Sequence, residues 1–322
     1  MIAARFRVAL LLAGALTLLS DCSSSSTSTV PTAPPVPNPT TIYVANRNGA
    51  NILEFAINSN GNIAPSQTIS GANTLLSSPD SLAVDSTGLV YTANDGAATI
   101  LAFNTTGNVA PSAQITGAAT GLATIEGLAV DSGRNIYATS FSANTLTSFP
   151  PGSNGNVAFT NQAVGAATGL NVATGVAILN GIAYVTNTGP NTVVGISATA
   201  NGNMPFTTQL SGAATGLSRP FSIAFDSAGN MYVANQTGPS ITVYAPPYNG
   251  NQAPTRTIVG ASTGLNYPSA VAVDPSGKIY VGNFDGNSIT VYASGATGNA
   301  TPIATISGAN TTLNAPSGIA LH

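Results

Sequence analysis

The sequence predicts an all-β fold, a six-bladed β-propeller with four antiparallel strands per blade, closed by the C-terminal strand completing the N-terminal blade. Three observations predict it. A tyrosine recurs in the short apolar segments IYVAN, VYTAN, IYATS, AYVTN, MYVAN and IYVGN, at Tyr43, Tyr91, Tyr137, Tyr184, Tyr232 and Tyr280, spaced 46 to 48 residues apart. Each period also holds a second apolar segment, a Gly-Asn pair, and a final segment of the type SLAVD, GLAVD, GVAIL, SIAFD, AVAVD or GIALH. Only 5% of the 322 residues are charged, while Gly and Pro number 34 and 21; this suits strands and tight turns better than amphipathic helices with charged outer faces.

Taken in chain order, the tyrosine segment is the second strand of a blade. The third strand follows, as ILEF from Ile52, ILAF from Ile100, LTSF from Leu146, VVGI from Val193, and ITVY from Ile241 and again from Ile289. The pairs beginning at Gly61, Gly107, Gly155, Gly202, Gly250 and Gly298 suit a tight turn that needs a positive φ. Asp85, Asp131, Asp226 and Asp274 end innermost strands, where an Asx-type hydrogen bond would hold the next turn. Four equivalent carboxylates on separate blades cannot converge on one substrate, so these read as structural. Asn46, Asn94, Asn187, Asn235 and Asn283 are expected to cap the hairpin after the second strand. The first strand, from Ile42, lacks an inner neighbour and the last, Gly318 to His322, lacks a successor, so each is expected to complete the other's sheet.

Three segments precede or make up this body. Residues 1–21 have a basic start at Arg5 and Arg7 and an apolar run from Val8 to Leu19, too short to span a bilayer comfortably, and read as a signal peptide. Leu19-Ser20-Asp21-Cys22 resembles the lipobox of bacterial lipoproteins, which implies a lipidated Cys22; Asp21 departs from that pattern, whose residue before the cysteine is small. Residues 22–41, rich in Ser, Thr and Pro, read as a disordered tether, and 42–322 as the propeller. The expected location is outside the cytoplasm, as an outer-membrane or cell-surface lipoprotein or else periplasmic or secreted, with the lipid the sole membrane contact.

Charge and residue counts exclude several functions. Without Arg5, Arg7 and Asp21, nine acidic and five basic residues remain, which disfavours binding to nucleic acid. The one histidine is His322 and the one cysteine is Cys22, so no Ser/His/Asp triad, Cys/His dyad, histidine zinc site or internal disulfide fits the body. A monomer is expected.

The alternation of a GIAVD-like strand, an IYVAN-like strand and an N-x-I-x-V-Y segment resembles NHL-repeat propellers, and Tyr184-Val185-Thr186-Asn187 matches the YVTN repeat of bacterial and archaeal surface proteins. The resemblance covers the whole body and implies the fold; members serve as binding scaffolds, lyases and lactonases, so it leaves the activity open.

Departures from the repeat are where a site is expected. Asp80, Glu126, Thr174, Phe221, Ser269 and Ser317 occupy equivalent positions just before the innermost strands' apolar core, and should ring the mouth of the central channel. The same face should carry Arg47, Asp95, Phe141, Arg219, Tyr267, Phe284 and Asp285. Arginine and aromatic side chains are common anchors, so Arg47, Phe141, Arg219, Phe221, Tyr267 and Phe284 form a candidate binding face for an envelope protein, peptide or polysaccharide, with no cofactor required. Glu126-Gly127 resembles the metal-binding glutamate of gluconolactonase-like propellers. That resemblance implies a calcium ion held by Asp80, Glu126 and Asn94 or Asn46, polarising a lactone carbonyl. The match is partial: Thr174, Phe221, Ser269 and Ser317 depart from that family at positions where it offers further ligands, and no histidine is available as an acid or base. The expected function is therefore a non-catalytic binding or scaffold module, with a calcium-dependent lactonase or other hydrolase as the alternative.

Overall fold

The computed structural model describes residues 38–322, which form six four-stranded antiparallel sheets arranged as blades. Leader, Cys22 and nearly all of the tether lie outside the described residues. The innermost strands of blades 2 to 6 are Pro79–Val84, Ile125–Val130, Ala173–Leu179, Pro220–Phe225 and Pro268–Val273, and that of blade 1 is Pro316–Leu321. This last strand pairs with Thr41–Asn46, Ile42 opposite Leu321 and Tyr43 opposite Ala320, so both ends of the body share one sheet. The amides of Thr40 and Thr41 each donate to the His322 carbonyl at 2.8 Å, so the order begins slightly ahead of the expected boundary at 42. Among the described residues, no helix is long and apolar enough to cross a membrane.

Second strands such as Val90–Asn94 and third strands such as Thr99–Phe103 are buried along their whole length. Blades stack face against face, so both faces of a middle strand meet a neighbour, and β-branched and aromatic residues fill the space. The seam between the first and last blades is packed like the others: Ile42, Val44 and Phe55 share a core cluster with Tyr280, Ile289 and Ile306. Closure thus rests on side-chain burial as well as on one strand pairing.

The Gly-Asn turns also join neighbouring blades. The Gly107 amide donates to Thr68 O at 2.8 Å and its carbonyl accepts from Ser70 N at 3.2 Å, covering the outer edge of blade 1. Asn108 Oδ1 then accepts the Asn73 amide at 2.9 Å. The arrangement is repeated at every junction; across the seam, Gly61 pairs with Thr305 and Ser307 while Asn62 Oδ1 accepts from Asn310 N at 2.8 Å. The six glycines lie at φ between 64° and 93°, where a Cβ is costly. Each otherwise open edge strand is therefore partly covered by the next blade.

The repeated aspartates behave as the sequence implies. Asp85 Oδ1 accepts from the Thr87 amide at 2.8 Å and the Leu89 amide at 3.2 Å, and its Oδ2 takes the hydroxyl of the repeated Tyr91 at 3.1 Å. Asp131, Asp226 and Asp274 bond Tyr137, Tyr232 and Tyr280 likewise. The repeated asparagines are structural too: Asn46 and Asn94 make no cap bond to the 3-10 turns that follow them, but the Nδ2 groups bridge the hairpin, Asn46 to Asn51 Oδ1 at 2.9 Å, Asn94 to Thr99 Oγ1 at 3.1 Å and Asn187 to Thr192 Oγ1 at 3.0 Å. Their side chains reach back to the loop that enters the blade: Asn94 Oδ1 accepts from Ser77 N at 2.6 Å, and Asn187 Oδ1 from Asn171 N at 3.0 Å. The buried amide is thus satisfied by the entering loop and the hairpin together.

Candidate functional site

The channel mouth is built from the first residues of the innermost strands, and neighbouring strands use most of them. Thr174 Oγ1 donates to Pro220 O at 3.3 Å, Ser269 Oγ to Pro316 O at 2.7 Å and Ser317 Oγ to Pro79 O at 2.9 Å. All three side chains are buried and stitch one blade to the next. Gly318 permits the same close approach, since a Cβ there would lie 2.9 Å from Asp80 O. Below the mouth, Leu82, Leu128, Val176, Ile223, Val271 and Ile319 form an apolar collar with one side chain from each blade. Above it is a cavity of about 60 Å³, room for a few waters, whose lining includes Glu126 and Phe221.

Two groups of side chains stand on this face. The first is ionic and joins blades 1, 2 and 3. Arg47, on the hairpin after the second strand of blade 1, donates from Nη1 to Asp80 Oδ1 at 2.7 Å and from Nη2 to Asp95 Oδ2 at 2.9 Å. Asp80 is 1% exposed, and its Oδ2 meets no amide or hydroxyl donor among the described residues. The Asp80 and Glu126 carboxyls are within hydrogen-bonding reach, and two carboxyls so placed cannot both ionise at neutral pH. Burial, and then the neighbouring Asp80 charge, push Glu126 up to about 9. Arg47 sits against Asp80, so the proton belongs on Glu126 and the negative charge on Asp80.

The second group is aromatic and belongs to blades 5 and 6. The Arg219 guanidinium lies over the Tyr267 ring, 5.5 Å from its centroid, and Tyr267 packs at a tilt on Phe284, with centroids 6.0 Å apart. Arg219 is exposed. Arg219 and Tyr267 both have φ 52° immediately before a proline, a costly backbone conformation. Asn191 Oδ1 holds the first by accepting its amide at 2.6 Å. Ser78, Val172 and Ala315 adopt the same conformation, so the turn belongs to the blade and the site uses it.

Arg47 is committed to carboxylates, and its guanidinium stacks on none of the aromatic members of the expected face. Phe141 stands half-buried on the hairpin of blade 3, its amide donating to Thr124 O at 2.9 Å, and no aromatic pair links it to Tyr267 or Phe284. Asp80 and Glu126 do come together. Asn94 does not join them: its Nδ2 donates to Leu75 O and to Thr99 Oγ1, both at 3.1 Å. Asn46 is likewise occupied, by Asn314 N, Thr312 O and Asn51. Gln236, at the hairpin position equivalent to Arg47, was not singled out by its sequence; it is buried with Oε1 unpartnered.

These residues, as they stand, do not fit a calcium ion, which takes six to eight oxygens at short range. Asp80 Oδ1 is bonded to Arg47, Glu126 keeps its proton, and the amide oxygens of Asn94 and Asn46 already accept from Ser77 N and Asn314 N. The guanidinium and that proton already supply two positive charges to the cluster, the charge a calcium ion would bring.

Comparisons with known proteins agree with the fold. Residues 265–292 match the NHL repeat. No curated protein matches the sequence. Solved structures share the architecture: a protein of unknown function from Bacteroides caccae is 11% identical with a TM-score of 0.64, covering 88% of this chain and 98% of its own. A chain of a nidogen/laminin complex is 17% identical with a TM-score of 0.62, covering 87% and 97%. A 6-phosphogluconolactonase-like protein from Bacteroides uniformis is 16% identical with a TM-score of 0.56, covering 90% of each chain. The chain is a six-bladed β-propeller with an NHL repeat; identities this low carry the fold and no activity.

Proposed function

We propose that this protein is a non-catalytic binding module of the cell envelope, exported by its leader, anchored through a lipid on Cys22, and engaging an envelope protein, peptide or polysaccharide through its loop face. The observation that carries the reading is the shelf formed by Arg219, Tyr267 and Phe284. A planar cation stacked on one ring, beside a second ring, offers apolar area and directed donors together, and such groups dominate binding energy at interfaces. Phe221, lining the nearby mouth, extends the apolar area towards the channel. The carboxyl cluster on blades 1 to 3 supports the same reading, because Arg47 neutralises the one charged acid that would have to hold a metal or activate water.

The test is capture from envelope extracts by the immobilised protein, comparing Arg219→Ala and Phe221→Ala with Lys278→Ala in the turn at the opposite rim. Both loop-face variants should lose most of the capture and the control should keep it. Equal capture by all three would remove the loop face as the contact surface.

A further inference from the structure

We propose that the loop entering blade 3, residues 121–123, is the movable strap of the channel mouth, seated on a buried water where the other blades seat the same loop on protein groups. The first observation is a side chain missing from the repeat. Five blades end the second strand with an asparagine, and blade 3 ends it with Ser140. In the five, the asparagine oxygen accepts an amide of the entering loop, from Asn314, Ser77, Asn171, Ser218 and Asn266, at 2.5 to 3.1 Å. A carbonyl of the same loop is held as well. Asn46, Asn94 and Asn187 donate from Nδ2 to Thr312 O, Leu75 O and Gly169 O, while in blades 5 and 6 the Tyr244 and Tyr292 hydroxyls donate to Thr215 O and Thr263 O. Blade 3 has Phe149 in place of that tyrosine. Its loop keeps one such bond, from Ala123 N to Ser140 Oγ at 3.3 Å, longer than the usual range for an amide donor.

The second observation is an orphaned hydroxyl. Thr99, Thr192 and Ser288 accept from the asparagine of their own blade at 3.0 to 3.2 Å. Thr145, their counterpart, is paired across the strands with the fully buried Ser140; it is 4% exposed, and its Oγ1 meets no partner among the described residues. Serine is shorter than asparagine by most of a carboxamide. The proposed water takes that place, among the Thr145 hydroxyl, the Ser140 hydroxyl and the Gly121 carbonyl, which is the counterpart of Leu75 O and Gly169 O; about three partners are usual for a buried water. A third departure has the same sense. Ser78, Val172, Arg219, Tyr267 and Ala315 lie at positive φ just before their innermost strands, and Thr124 does not share that conformation. The loop leads into Glu126, which lines the mouth cavity. A water can leave as the loop lifts, whereas a carboxamide fixed on a strand cannot, so the loosening is confined to this blade.

This inference rests on the hairpin network and not on the aromatic shelf, so loss or retention of capture by Arg219→Ala leaves it unchanged. The experiment is hydrogen exchange of the whole protein, read by mass spectrometry on peptides covering residues 119–125 of blade 3 and 167–173 of blade 4. In the parent the blade 3 loop should exchange about tenfold faster, the effect of roughly one hydrogen bond. Ser140→Asn should displace the water, raise the unfolding midpoint and slow the blade 3 loop about tenfold, with blade 4 unchanged. Asn187→Ser should speed the blade 4 loop by a similar factor, and it decides the matter where Ser140→Asn does not fold. Equal exchange of the two loops in the parent overturns the proposal. So does a folded Ser140→Asn with a lowered midpoint or parent-like exchange, or an Asn187→Ser whose blade 4 loop exchanges as slowly as before.

Discussion

Asp80 and Asp85 lie at opposite ends of the innermost strand of blade 2, and opposite things have been done with two copies of one side chain. At the lower end, burial raises the Asp85 pKa, but the Thr87 hydroxyl and amide, Arg134 and the Leu89 amide outweigh it and hold the carboxyl at about 2. At the upper end Asp80 has a single cation and a carboxyl neighbour, and burial with that neighbouring charge pushes Glu126 up to about 9. The lower arrangement recurs at Asp131, Asp226 and Asp274, while the upper one occurs once. An array of backbone and hydroxyl donors can be copied with the repeat because it uses only local atoms. A cluster that needs residues from three blades arises where those blades differ from the rest.

Removing the repeated carboxylate should have the largest effect. Asp85 is buried and answers the Thr87 and Leu89 amides, the Thr87 and Tyr91 hydroxyls and Arg134, so Asp85→Ala strands several donors at once. We expect a loss of about 2–4 kcal/mol in urea unfolding, from the several donors around the turn left without an acceptor. A loss below about 1 kcal/mol would mean that the turn holds itself and that the two ends differ less than their contacts indicate.

The pH dependence separates the two ends more finely. Asp85 has a folded pKa below its ordinary value, so its contribution is present above pH 3.8 and is lost as pH falls through about 2. Glu126 has a folded pKa above its ordinary value, so its contribution is complete below pH 4.5 and is lost as pH rises through about 9. In Glu126→Gln the amide can donate to Asp80 in place of the shared proton and does not titrate. Stability measured from pH 5 to 10 should then fall less steeply than in the parent, and the variant should gain most at the alkaline end. Parallel curves for the two proteins would show that Glu126 is ionised in the native state, removing the contrast with Asp85.

The repeat made the blades legible because each period carries its own hydrophobic pattern and turn residues, and the missing inner strand of the first unit located the clasp. Positions within a period were readable to the residue, so Asp80, Glu126, Thr174, Phe221, Ser269 and Ser317 all stand at the same height. Their orientation was not readable. A hydroxyl short enough to reach the next strand bonds its carbonyl, as in Ser269 and Ser317, whereas the Glu126 carboxyl reaches Asp80 of the preceding blade. The partner of Arg47 was hidden for a related reason. Asp80 is 33 residues further along, and the contact exists because the hairpin of one blade leans over the innermost strand of the next. The asparagine of each Gly-Asn pair carries a longer-range signal than the turn: a turn needs the glycine, whereas an asparagine in all six periods reflects a bond to the preceding blade.

The smallest effect concerns the tyrosine that names the repeat. In blade 2 the Tyr91 hydroxyl donates to Asp85 at 3.1 Å, but in blade 4 Leu179 replaces the aspartate and Tyr184 packs edge-on against Phe225 and Tyr248, at 5.1 and 5.4 Å. The ring is needed in both blades for packing, and the hydroxyl in only one. Tyr91→Phe should therefore cost about 1.5 kcal/mol, the low end for a hydrogen bond to a charged acceptor that keeps its other donors, while Tyr184→Phe should be neutral within about 0.5 kcal/mol. Thermal unfolding of the two variants beside the parent measures the difference. Equal midpoints for Tyr91→Phe and Tyr184→Phe would show that the aspartate turn is held by its amides and Arg134 alone, and that the tyrosine recurs for its ring.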